Sequence, residues 1–120
     1  MSDFGGRRFT LSAVIGDGES LSDAQHVNNG ALVGFFIPSS WTAADITFAV
    51  GRTEAGAFAP MRDAEGTEVT VTGFSAGDYV ALPAGAFHGI EFLKIRSGTS
   101  GTPVNQGAER SVVLVIRAFQ

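Results

Sequence analysis

The chain offers few residues that could do chemistry, and their spacing decides what they can do. The only histidines are His26 and His88, in separate segments. Nucleophilic catalysis needs a nucleophile, a base and an orienting group. Serines are frequent, but no G-x-S-x-G turn presents one, and no partner stands at useful spacing from either histidine. Two isolated histidines without H-x-H or H-E-x-x-H make no zinc set, and cysteine ligands are absent with the cysteines themselves. Asp63, Glu65 and Glu68 cluster in "RDAEGTE", but the longer ligand series of a calcium loop is missing. Ala64-Glu65-Gly66 reads there as a hairpin turn with an acidic rim. The expectation is a protein that is not an enzyme and holds no metal and no cofactor.

A second chemical candidate is "KIRSGTSGTPVNQGAER", Lys94 to Arg110. Its glycines suggest a phosphate cradle, which requires G-x-x-x-x-G-K-[ST] leading into a helix. Here Gly101 precedes Thr102-Pro103 and then an apolar strand, so that reading fails. What remains is a polar loop between two apolar strands, of the sort that carries recognition when a rigid scaffold holds it. Arg96, Asn105, Gln106 and Arg110 supply directional donors and are its candidate partner contacts.

The elements that must position these residues have a period of two. In "DITFAVGR", Ile46, Phe48 and Val50 alternate with Thr47, Ala49 and Gly51, and "EVTVT" alternates Val69 and Val71 with threonines. Such alternation marks half-buried strands. "ALVGFFIP" (Ala31–Pro38) and "SVVLVIRAF" (Ser111–Phe119) are apolar on both faces, as central strands or strands that meet another surface are. Further strands are expected at Phe9–Ile15, Ala57–Met61, Tyr79–Leu82 and Gly89–Arg96. Turn signals such as Gly16-Asp17-Gly18 and Asn28-Asn29-Gly30 separate them. The only helical candidate is Ser40–Asp45, a turn or a single helical turn capped by Ser39 or Ser40. The result is about eight short strands, an all-β antiparallel sandwich, jelly-roll-like.

Composition sets the outer limits. With 120 residues, one domain is expected: a flexible segment 1–8 whose Arg7 and Arg8 are further candidate partner contacts, then a sandwich over 9–120. The net charge is −4 with scattered acids, which argues against nucleic acid, whose binding needs clustered cations. Charged residues make up only 17% of the chain, so its surface is poorly covered by charge and partner chains are expected to cover part of it. No apolar run approaches the ~20 residues of a membrane helix. Arg7-Arg8 followed by Leu11–Ile15 has the start of a twin-arginine signal, but Gly16-Asp17-Gly18 stops the apolar run too early. Trp41 is the sole tryptophan, expected to plug one end of the sandwich, with a partner or sugar contact as the other role.

Two stretches, "LVGFFIPSSWTAADITFAVGRTEAGAFAPMRDAEGTEVTV" and "LKIRSGTSGTPVNQGAERSVVLVIR", resemble a group of small virion proteins of tailed phages and gene transfer agents. The likeness lies in an aliphatic strand ending in Pro, a W-t-a-A-x-I-t-F segment, an x-x-D-x-x-G-x-E hairpin and a closing K-x-R-S-G-T-x-x-x-P-V-N-Q. It covers roughly Leu32 to Arg117. The first 30 residues match nothing in the group and could be the particle-specific attachment segment. The resemblance implies a non-enzymatic β-sandwich made in the bacterial cytoplasm and built into the virion, as a head-spike base or a capsid decoration protein. It implies other virion proteins (capsid or spike fibre) and further copies of the chain as partners, and no catalytic residues. The alternative is a carbohydrate-binding or tail and fibre accessory domain for host attachment, which would need exposed aromatic platforms.

Overall fold

The structure, a computed structural model, describes residues 7–83 and 85–119. The described chain is all-β. Strands β1 (Arg8–Ile15), β2 (Gln25–His26), β3 (Gly30–Phe36), β4 (Ile46–Gly51), β5 (Phe58–Pro60), β6 (Tyr79–Ala81), β7 (Phe92–Ser97) and β8 (Arg110–Ala118) form two antiparallel sheets. The first has the order β1-β8-β3-β6 and the second β2-β7-β4-β5. Strands pair from the outside of the sequence inwards: β1 with β8, β2 with β7, β3 with β6 and β4 with β5. The pairs β3–β8 and β4–β7 then join these ribbons side by side.

The alternation read from sequence becomes the two faces of each sheet. From β8, Val112, Leu114 and Ile116 enter the core while Val113 and Val115 face out, only partly covered. From the opposite sheet come Ile46, Phe48, Leu93 and Ile95, all fully buried. Phe35 meets Phe48 across the sheets at 6.2 Å between ring centres, and Phe87 stands edge-on to Phe48 at 4.9 Å. The sandwich interior is thus aromatic at its centre and aliphatic around it. In β3 a bulge between Leu32 and Gly34 shifts the register, so that Phe35 still points in and Phe36 out.

Three expectations are corrected. Ser40–Asp45 is not helical; Ser39–Ser40 form a turn in which the Trp41 N–H donates to the Pro38 carbonyl at 3.2 Å. Trp41 leaves that turn for the core, 8% exposed, and its indole N–H caps the Ala44 carbonyl at 3.2 Å. "EVTVT" is not a strand but a connector that touches the sheet at one isolated bridge, Val71 to Ile46, and closes its own hairpin with another, Glu68 to Arg62. Its short run of threonines and valines finds no second neighbour to complete a ladder. Finally, Arg8 belongs to β1, and the Ala118 N–H donates to the Arg7 carbonyl, so the loose segment expected over 1–8 does not include these two residues. Met1–Gly6 lie outside the described residues.

Candidate functional site

The loop between β7 and β8 is held from within. Gly98 opens it with a φ of +89° and bridges to Pro103, and Thr99 and Thr102 exchange backbone bonds at 3.1 and 3.2 Å. A Cβ on Gly98 would stand 2.5 Å from the Thr102 carbonyl oxygen and 2.7 Å from the Val104 nitrogen. Both neighbours are backbone, so neither can swing aside. Gly98→Ala is therefore expected to cost about 2 kcal/mol, from backbone strain and this collision together. Chemical denaturation of the variant against the parent measures it.

Two side chains tie the loop down. Glu68, from the connector, accepts the Ser100 N–H and hydroxyl at 3.2 Å and pairs with Arg96 at 3.4 Å; both charged side chains are only 13% exposed. Arg96 also donates to the Thr47 hydroxyl at 3.4 Å. Further along, Gln106 is 1% exposed. Its Nε2 donates to the Thr42 carbonyl at 3.0 Å and the Ser97 hydroxyl at 2.7 Å. Its Oε1 accepts the Thr42 N–H at 2.8 Å and Arg110 Nε at 3.2 Å. Its own N–H donates to the Glu19 carbonyl and its carbonyl accepts from Gly18. Every polar group of Gln106 is spent inside the fold.

This corrects part of the expected partner surface. Gln106 cannot reach a second chain because it is buried and saturated. Arg96 is a brace for the loop, mostly covered and paired within the chain. Trp41 is in the core, as its plug role requires. Arg110 is half-buried, with its guanidinium on Gln106 and on the Thr42 hydroxyl at 3.4 Å. Asn105 is exposed beside them, and Arg7, just before β1, and Arg8, its first residue, are exposed at the far end of the sandwich. The expected site residues therefore do not converge.

Among the described residues the geometry gathers no catalytic set around either histidine. His26 stacks on Phe92 with ring centres 4.5 Å apart and lies 3.7 Å from Glu91. That carboxylate also accepts Asn28 Nδ2 at 3.1 Å. His88 meets Phe119 edge-on at 5.4 Å. Among the described residues no three His, Asp or Glu side chains are placed to hold a metal ion. The acidic stretch is a turn: Asp63 Oδ1 accepts the N–H groups of Glu65 and Thr67, and Arg62 caps the Gly66 carbonyl. No helix among the described residues is long and apolar enough to cross a membrane.

The outer face of the β1-β8-β3-β6 sheet is a further surface, marked in the sequence by no single chemical residue. One row across it runs Ser12, Val113, Phe36, Tyr79, and the next Thr10, Val115, Gly34, Ala81. Phe36 is 48% and Tyr79 45% exposed, their rings 4.7 Å apart. Gly34 is needed here, because a Cβ would collide with the phenol of Tyr79, which lies across it. The signal was present in the two-faced apolarity of Ala31–Pro38 and Ser111–Phe119. On the opposite sheet the aromatic rings are already covered, Phe92 by His26 and Phe58 by Lys94 at 4.4 Å. No protein-family model, curated protein or solved structure matches the chain.

Proposed function

We propose that the protein is a non-enzymatic structural component of a phage-like particle, a head-spike base or capsid decoration protein that binds copies of itself and neighbouring virion proteins. The observation that carries the reading is the outer face of the β1-β8-β3-β6 sheet. It exposes Phe36 and Tyr79 beside Val113 and Val115, and within the described strands its charges stand in the single row of Arg8 and Arg117. A flat apolar face with adjoining aromatics suits a protein partner, since interface centres are depleted in charge and enriched in aromatic rings. The particle assignment rests on the resemblance of the Trp41–Phe48 and Lys94–Gln106 segments to virion proteins. The strand order, with outer pairs nested around β4–β5, supports reading the sandwich as a jelly roll, an architecture used by capsid proteins.

The Phe36–Tyr79 pair also favours, as a second reading, a sugar platform on the same face. One pair of variants separates the two. Phe36→Ser and Tyr79→Ser sit on exposed positions and are expected to leave melting nearly unchanged while lowering occupancy on purified particles roughly tenfold or more, as loss of an aromatic anchor does. Wild-type occupancy in both variants removes this face from the particle contact. Glycan-array binding lost in the variants, with occupancy intact, moves the protein to the carbohydrate reading.

A further inference from the structure

We infer that the free edge of β1 pairs with β1 of a second copy, antiparallel and centred on Thr10, joining two four-stranded sheets into one. The inference rests on the self-associating reading above and names the surface that does it.

The Arg7 carbonyl accepts from Ala118, so the backbone of Arg7 faces β8. Backbone direction alternates along a strand, which turns the N–H and C=O groups of Arg8, Thr10, Ser12 and Val14 away from β8, towards the sheet edge. Val14 shows where that edge ends. Its N–H donates to Asp23 Oδ1 at 2.9 Å, and its carbonyl accepts the Asp23 N–H at 3.1 Å. The edge-directed groups of Arg8, Thr10 and Ser12 have no partner among the described residues. An open edge of this length, without proline or bulge, is a template for another strand. The remaining edge strands offer no equivalent, since β2 has two residues and β5 and β6 three each.

The edge's own ends choose both the occupant and the register. Antiparallel pairing about Thr10 sets Arg8 opposite Ser12 of the other copy and Thr10 opposite Thr10. Each open residue then exchanges both its backbone bonds. A shift that brings Arg8 opposite Val14 wastes bonds already spent on Asp23; the opposite shift leaves Ser12 without a described partner. In the centred register Asp23 of each copy lies at the end of the new pair, next to Arg7 and Arg8 of the other. Its Oδ1 takes Val14 and Gln25, while Oδ2 is left unbonded among the described residues. The strand is thus basic at one end and acid-stopped at the other, a self-complementary pattern for a two-fold contact. The Val113, Phe36 and Tyr79 face would continue across the joined sheet.

Sedimentation equilibrium of the full chain, with amide exchange read by NMR, tests this. A monomer–dimer equilibrium is expected that weakens as salt rises, with the amides of Arg8, Thr10 and Ser12 slowing as concentration increases. Thr10→Pro removes an N–H that makes no bond to β8, so its melting should be close to the parent's. It should raise the dimer dissociation constant roughly tenfold or more, because both axial bonds are lost. A chain that is monomeric at every soluble concentration with fast Thr10 and Ser12 exchange overturns the pairing. Concentration-independent protection in a monomer assigns the edge to the chain's own first six residues and also overturns it. So does a dimer in which those amides stay fast, a measurement that does not depend on whether Thr10→Pro folds. Particle occupancy is read separately: a monomer that fills particles sinks the pairing alone, and a dimer that never enters them sinks the virion reading alone.

Discussion

Replacing Gln106 with alanine is expected to cost about 3 kcal/mol, on the order of 10 °C in melting temperature. The arithmetic is one of orphaned groups, not of one missing contact. Without the amide, the Thr42 N–H, the Thr42 carbonyl and the Ser97 hydroxyl lose their partners, and Ser97 is fully buried. A buried polar group left unpaired costs about 1–3 kcal/mol, and water can reach Thr42, which is half-buried, more readily than Ser97. Gln106→Glu is the sharper probe. It keeps the shape and an acceptor for Thr42 N–H and Arg110, but reverses the donation to the Thr42 carbonyl and buries a charge. It should be at least as damaging as alanine at neutral pH, and should recover stability as acid protonates it. The expected sign is that burial beside the Thr42 carbonyl outweighs the Arg110 guanidinium, so stability is lost as pH rises and regained as pH falls. Thermal melts of both variants across pH check this. A Gln106→Ala protein that melts with the parent would show that the side chain does not hold the loop.

The sandwich itself was readable because burial imposes a period of two, and Ile46-Phe48-Val50 and Val112-Leu114-Ile116 carry it plainly. Strand order was not readable, since the nesting of β1 with β8 around β4–β5 depends on contacts far apart in the chain. Nor was β2, whose Gln25 and His26 have no apolar alternation and are held by pairing with β7 and by the stacking of His26 on Phe92. Of the turn and the helical turn open at Ser40–Asp45, the helical form is absent for a physical reason: Trp41 gains more by entering the core than a single helical turn gains from its caps. The loop is unusual in sequence, and its polar residues read there as outward donors. Glycine-rich loops leave backbone groups to be satisfied, and Gln106 and Glu68 satisfy them from inside. Polarity alone does not distinguish a group that reaches a partner from one that closes its own fold. Asn105 and Gln106 are adjacent in sequence, yet one is exposed and the other buried. The excess apolarity of β3 and β8 was legible as a surplus, and the structure gives it a place on the outer sheet face.

Arg96→Ala is expected to destabilise the isolated protein by about 3 kcal/mol while leaving the folded remainder able to fill its place in a particle. Removing one member of a mostly buried ion pair leaves the other charge uncompensated, which costs about 3–5 kcal/mol when water is excluded. The residual exposure of Arg96 and Glu68 argues for the lower end. Glu68 would keep its bonds from Ser100, so the loop tip stays attached and the loss falls mainly on the pair itself. The double variant Arg96→Ala with Glu68→Gln should recover part of the loss, because no net charge is then stranded and the glutamine still accepts from Ser100. A Glu68→Gln change alone should cost less than Arg96→Ala, since arginine keeps the Thr47 hydroxyl and some solvent. Denaturant titration of the three variants closes the cycle. If Arg96→Ala melts like the parent but loses particle occupancy, the arginine acts across an interface and the internal brace is the wrong account. If both fall together, occupancy measured on the folded fraction decides between them, because a brace defect lowers only how much folded protein there is.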